Sequence, residues 1–173
     1  MTDSTQSTAI LLTKLLIFTL LIPGTFGVYL PLSLAANRPP SFDLGGLRFL
    51  GLLPIVIGAG FYFRCALDFA FQGRGTPAPI DAPKFLVTSN LYRMVRNPMY
   101  VGVLMVVVGE GLLYQSFAVF RYAALGWLGF HLFVLLYEEP TLRAKFGTEY
   151  EQYCRQVPRW IPRKPSSAAD SRG

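Results

Sequence analysis

The chain has 173 residues, 52% of them hydrophobic and 15% charged, with a net charge of +6. Soluble domains carry about 25% charged residues, so this composition, with a mean hydropathy of +0.39, points to an all-α integral membrane protein. It excludes a disulfide scaffold, because two cysteines make no framework, and it excludes disorder for all but the ends.

The first apolar run covers about Ile10 to Leu34, with Lys14 as its only charge. A cleaved leader is the rival reading. Against it, no basic residue precedes Lys14, and the uncharged stretch Leu15–Asn37 exceeds the about 7–15 residues of a leader's apolar region. A membrane helix bent near Pro23-Gly24 is expected. A loop with Pro39-Pro40 and Gly45-Gly46 leads to a second span, about Leu47–Phe71. A third covers about Met99–Tyr114, and a turn at Gln115-Ser116 leads to a fourth, about Phe117–Tyr137. At about 1.5 Å per residue the last two are short, and they read as a tight helical hairpin.

Basic residues give the direction. Arg74, Lys84, Arg93 and Arg96 lie between spans two and three. Arg143, Lys145, Arg155, Arg159, Arg163, Lys164 and Arg172 follow span four. Together they are eleven of the 16 lysines and arginines, so the 72–98 loop and both termini are expected in the cytoplasm. Charge placed this way is an orientation signal, and no nucleic-acid partner is expected. The partner expected is the lipid bilayer. Residues 1–165 read as one membrane domain, and 166–173 as a disordered tail.

Two cytoplasmic pieces remain for chemistry. The stretch Gly73–Lys84 has three prolines and two glycines, which exclude a helix. Its Gly-x-Gly lacks the third glycine and follows no strand, so the dinucleotide fingerprint fails. It is either a stiff connector or a loop whose backbone lines a ligand. Ser89 or Asn90 is placed to cap a short helix ending before Pro98. Pro98 suits the first turn of span three, which puts Asn97 and Tyr100 at a helix mouth suited to a carboxylate. A basic and aromatic interface anchor is the competing reading.

The tail opens with Glu138-Glu139-Pro140, two carboxylates at a membrane boundary where such groups are expensive. They either favour the next helix N-terminus or meet a cationic ligand. Leu142, Phe146, Tyr150, Tyr153 and Val157 then mark one face of an amphipathic helix, with Trp160 beyond it as an interface anchor. Inside the spans, Arg64 and Asp68 are spaced to pair. Glu110 lies about 15 Å along the helix from Tyr100, too far to touch a polar ligand there. His131 reads as a satisfied interior histidine. Cys65 and Cys154 have no metal spacing, so both read as free thiols and no metal is expected.

The pattern Leu86-Val87-Thr88-Ser89, Tyr92, Arg96-Asn97-Pro98-Met99-Tyr100-Val101-Gly102, followed by Glu138-Glu139, Leu142, Phe146-Gly147, Tyr150, Tyr153 and Val157-Pro158, resembles a known family. These are the integral-membrane methyltransferases that include isoprenylcysteine carboxyl methyltransferase and the phospholipid methyltransferases. The likeness covers residues 84–102 and 138–162. It implies an all-helical enzyme that uses S-adenosyl-L-methionine without a Rossmann-type fold, acting on a lipid-like or prenylated acceptor. By position it implies cofactor contacts from Tyr92, Asn97, Pro98, Met99, Tyr100 and Glu138. Backbone groups of Lys84, Phe85, Leu86 and Val87 would join them, with Glu139 in support. No catalytic residue is singled out.

The chain departs from the family pattern twice. Asn97 stands where the family has histidine, and an amide does not titrate near neutral pH. Val134 stands where an arginine is linked to prenylcysteine recognition, which argues against that acceptor. A carboxylate acceptor arrives already charged, whereas an amine must lose a proton and no side chain stands out as its base. Two other readings compete. One is an NADPH-dependent membrane enzyme like the sterol reductases. The other is a non-catalytic scaffold packed through Gly102, Gly109, Gly126 and Gly129.

Overall fold

The computed structural model describes residues 8–36, 38–71 and 85–163. Lys84, the rest of the 72–84 loop and the tail from Lys164 lie outside the described residues. Among those described, every regular element is a helix. α1 is Thr8–Leu21, α2 Leu30–Ala36, α3 Leu52–Phe71, α4 Pro98–Leu113, α5 Phe117–Phe133 and α6 Glu139–Gln156. Three stretches are long and apolar enough to cross a membrane: Thr13–Ala36, Gly45–Phe69 and Phe117–Gln156. α4 is equally apolar but has 16 residues.

The expected break at Glu138-Glu139-Pro140 is absent. α5 runs into α6 through a π turn at Val134–Glu138, in which the Glu139 N–H donates to the Val134 carbonyl five residues back. A second π turn, Thr25–Tyr29, joins α1 to α2, with the Leu30 N–H donating to Thr25. Each turn ends two residues before a proline, Pro140 and Pro31. A proline ring clashes with the carbonyl four residues earlier, and widening the preceding turn removes the clash without ending the helix. The bend expected near Pro23-Gly24 corresponds to an interruption of the regular helix at Ile22, after which the helix resumes.

α3 and α4 pack backbone to backbone. A Cβ on Gly58 would meet the Gly102 carbonyl, and one on Gly102 would lie 2.7 Å from the Gly58 carbonyl. One turn-pair along, Gly109 faces Gly51 in the same way. Glycines seven apart on each helix thus meet in antiparallel register, which is how helices associate where lipid removes the hydrophobic drive between them. Gly126 and Gly129 do not take part: a Cβ on the first would only just reach Leu104, and the second faces open space. Gly102→Ala is expected to cost about 1–3 kcal/mol by overpacking against an unyielding backbone. Thermal unfolding in detergent checks it, with Gly129→Ala, near neutral, as the comparison.

The turn between α4 and α5 is locked from the side. Gln115, at φ +53°, is buried and takes the Leu44 N–H on its side-chain oxygen and the Ser41 N–H on its carbonyl. Across it, Val107, Val119 and Ala123 form a buried cluster. Inside α6, Gly147 at φ +52° and ψ −126° interrupts the regular path. That conformation is open to glycine and strained for other residues.

Candidate functional site

The pieces that position the site come from five parts of the chain. Phe18 and Ile22 of α1, Phe69 of α3, the segment from Leu86 to Tyr100, the α5–α6 junction and the inner face of α6 enclose one cavity of about 400 Å³. Small-molecule sites span roughly 300–1,000 Å³. The amphipathic face expected of α6 is the face that lines it: Leu142, Phe146, Tyr150 and Tyr153.

The segment leading into α4 is not the capped helix expected. It is one 3₁₀ turn, Asn90–Arg93, preceded by Ser89 without a side-chain cap. What holds it is α3. Asn90, at φ +53°, donates its amide to Asp68 Oδ1 at 3.0 Å. Asp68 also pairs with Arg64 at 3.5 Å, as the spacing predicts. Beside them the buried Cys65 packs on Val87 and Tyr92. From the other side the Tyr153 hydroxyl donates to the Tyr92 carbonyl at 2.8 Å. Burial pushes the Tyr92 phenol well above its usual range, so it stays a neutral hydrogen-bonding wall. Asp68→Ala removes the anchor of this segment. We expect the apparent ligand affinity to fall several-fold, with thermal stability lowered by about 1–3 kcal/mol for the group left unpaired.

A strap beyond α6 closes the same end. The Arg96 N–H donates to Pro158 and the Arg163 N–H to Met94, at 2.8 and 3.0 Å. The Asn97 amide donates to the Arg159 carbonyl at 3.1 Å. Trp160, expected as an interface anchor, donates its indole N–H to His131 Nδ1 at 3.0 Å and lies against Trp127 and Tyr100. His131 is therefore hydrogen-bonded, as was expected, though half-buried rather than interior.

The two adjacent glutamates have different surroundings. Glu139 is 2% exposed and is bound by Arg96 at 3.0 Å, Arg159 at 2.6 Å and Arg143 at 3.3 Å. Its hydrogen bond holds the Arg159 guanidinium above its usual range. Glu138 lines the cavity and accepts a 2.9 Å hydrogen bond from the Tyr100 hydroxyl. The division follows from helix geometry, since consecutive residues on a helix point about 100° apart.

Of the residues marked by the sequence, Leu86, Val87, Tyr92, Asn97, Met99, Tyr100 and Glu138 border the cavity. Phe85 is 58% exposed and Pro98 is fully buried, and neither borders it. Glu139 lies behind the wall in its arginine cluster, and Lys84 is outside the described residues. Glu110 is buried away from the cavity, with Oε2 taking no hydrogen bond from any described group. Sequence reasoning named Arg96 in the motif but not among the contacts, though it borders the cavity, and passed over Phe130, which stacks on Tyr100 with ring centres 4.7 Å apart. The signal for Arg96 was its place beside Asn97-Pro98. Nothing local marks Phe130, which reaches the site only through packing.

The phospholipid methyltransferase family matches residues 47–149, more than half of the chain. The chain belongs to that family of methyltransferase enzymes. A cobalt-zinc-cadmium resistance protein, CzcN, of Cupriavidus metallidurans is 30% identical over 66% of this chain and 48% of its own length. The protein-S-isoprenylcysteine O-methyltransferase of Schizosaccharomyces pombe is 36% identical over 46% of this chain and 34% of its own. Protein-S-isoprenylcysteine O-methyltransferase B of Arabidopsis thaliana is 33% identical over 44% of this chain and 39% of its own. The chain thus spans less than half the length of these curated relatives.

Proposed function

We propose that the chain is an integral-membrane methyltransferase that uses S-adenosyl-L-methionine and passes the methyl group to a lipid-like acceptor at the cytoplasmic membrane face. In this reading α4 is a fourth span and forms a short hairpin with α5. Both termini and the 72–98 loop lie in the cytoplasm, as the basic residues favour. Residues 1–165 act as one membrane domain.

The observation that carries the reading is the cavity between the two motif segments. Among the described residues its wall offers one carboxylate, Glu138, fixed by Tyr100. Around it are aromatic side chains from α1, α3, α4, α5 and α6. A carboxylate and ring faces suit a cationic sulfonium compound with a flat heterocycle. When bound, the cofactor supplies an electrophilic methyl group. Tyr92, Asn97, Met99, Tyr100 and Glu138, with the backbone of residues 84–87, would hold it. Tyr100 keeps the Glu138 carboxylate pointed inward. The apolar end, with Phe18, Ile22 and Phe69, admits the acceptor's hydrocarbon and excludes water. The chain's task is alignment of two reactants, worth about 7–11 kcal/mol in favourable cases. Asn97 cannot serve as a histidine base, and its amide is engaged with Arg159. That favours an acceptor that arrives as a carboxylate, or an amine deprotonated in solution.

The test is calorimetric titration of detergent-purified protein with S-adenosylmethionine, with NADPH in parallel. Saturable binding of the first supports the reading. Binding of NADPH alone moves the protein to the reductases, and binding of neither by folded protein makes it a scaffold.

A further inference from the structure

The chain has one histidine and two tryptophans, and all three meet near the C-terminal end of α5. His131 stacks on Trp127, with ring centres 5.3 Å apart and planes 13° from parallel, and lies 6.0 Å from Trp160. Its Nδ1 accepts the Trp160 indole N–H at 3.0 Å. None of the three lines the cavity. Trp160 belongs to the strap, and its ring lies 6.5 Å from that of Tyr100. The Tyr100 hydroxyl in turn bonds Glu138 at 2.9 Å. A path of contacts therefore runs from His131 through Trp160 and Tyr100 to the cavity carboxylate. The strap's other hydrogen bonds go to Met94, Arg96 and Asn97 before α4 and to Glu139. Among the described residues, the indole bond is its one hydrogen bond to α5.

We propose that His131 is a positioning residue for methyl transfer: by accepting the indole N–H it holds Trp160, and with it the strap, against Tyr100, and so keeps Glu138 aimed into the cavity. This rests on the functional reading above, with His131 acting from outside the cavity wall. An acceptor is what the place demands, because a half-buried indole N–H needs a partner. A neutral imidazole with its proton on Nε2 accepts at Nδ1. A second proton would set N–H against N–H, and the latch would open. Imidazole is the side chain whose charge changes around neutral pH, so the site is assembled on the alkaline side and released as pH falls. No other charged group takes part in the contact. Glu138 and Glu139, farther along the same helical run, are held by Tyr100 and by the arginines. On the strap, Arg159 is bound to Glu139 and Arg163 is exposed. On α4, Glu110 lies near Tyr122, toward the other end of α5.

A sole histidine between the only two tryptophans makes the test direct. S-adenosylhomocysteine is titrated calorimetrically into the detergent-purified full chain from about pH 8 to about pH 5.5, and indole fluorescence is recorded over the same interval. His131→Phe keeps a ring on Trp127 and removes the acceptor. It is expected to bind about three- to tenfold more weakly, the net worth of one hydrogen bond, with little change in melting temperature. His131→Asn sets an amide oxygen near the place of Nδ1 and does not titrate, and it is expected to restore most of the affinity. In the unaltered chain, affinity and fluorescence are expected to fall together as pH drops, since an imidazolium quenches a neighbouring indole. In His131→Asn that joint step is absent. The carboxylates and arginines are the same in both proteins, so the difference belongs to the imidazole. Unaltered affinity in His131→Phe overturns the assignment. So does failure of His131→Asn to bind better than His131→Phe, or an acid loss undiminished in His131→Asn. If His131→Phe does not fold, Trp160→Phe removes the donor instead, and unaltered affinity there overturns the assignment equally. Absence of binding by folded, unaltered protein overturns the functional reading and this assignment with it. Binding that none of the variants alters overturns this assignment alone.

Discussion

Glu138→Gln is expected to lower affinity for S-adenosylmethionine by roughly 10- to 150-fold while leaving the fold intact. The substitution is isosteric and keeps an acceptor for the Tyr100 hydroxyl, which now bonds Glu138 at 2.9 Å. It removes the one carboxylate that lines the cavity among the described residues. A hydrogen bond to a charged group contributes about 1.5–3 kcal/mol, and each 1.4 kcal/mol is a factor of ten in affinity. An unshielded pair at 4 Å would reach about 4 kcal/mol at an effective dielectric near 20, an upper bound for the same loss. Calorimetry gives the affinity and a thermal melt gives the fold. Unchanged affinity in folded protein would remove the cavity from consideration as the cofactor site.

The neighbouring substitution should behave in the opposite way. Glu139→Ala is expected to destabilise the protein by about 3–5 kcal/mol, because it leaves buried arginine charge without its counter-ion. Arg96, Arg143 and Arg159 all converge on that carboxylate. Two of these arginines belong to different pieces of the site, the segment before α4 and the strap. The loss should therefore appear as a lower melting temperature and a poor yield of folded protein, before any question of ligand arises. Equal melting temperatures for Glu139→Ala and the unaltered chain would show that the arginines are held by other means. One residue apart, the pair separates ligand recognition from cohesion, and the two variants must be read together.

Much of this was legible in the sequence. The apolar runs placed Thr13–Ala36, Gly45–Phe69 and the start of α5 to within a few residues, because burial in lipid selects composition over long windows. The periodicity of Leu142, Phe146, Tyr150 and Tyr153 marked the face that lines the cavity. What could not be read were features created by contacts between distant residues. Trp160 and His131 are 29 positions apart, and nothing local distinguishes an indole bound to a histidine from one at an interface. The Arg64–Asp68 spacing predicts a pair, but not that Asp68 also holds Asn90, 22 positions on. The resemblance put Glu138 among the contacts and Glu139 in support, but the three arginines that bind Glu139 could not be read from the sequence. The fourth span was expected to end about Tyr137, and the wider turn there lets the helix continue.

That continuity bears on which insertions and deletions the chain can accept. From Phe117 to Phe146, before the break at Gly147, one continuous helical run carries both the apolar stretch and the cavity carboxylate. Adding or removing a single residue between Phe117 and Glu138 would swing that carboxylate by about 100° around the helix axis, and would exchange the places of the two glutamates or turn both away. The spacing between the α4–α5 turn and Glu138 is thus fixed by chemistry as much as by bilayer thickness. Family members that keep this site should hold that interval constant even where their surface loops vary in length.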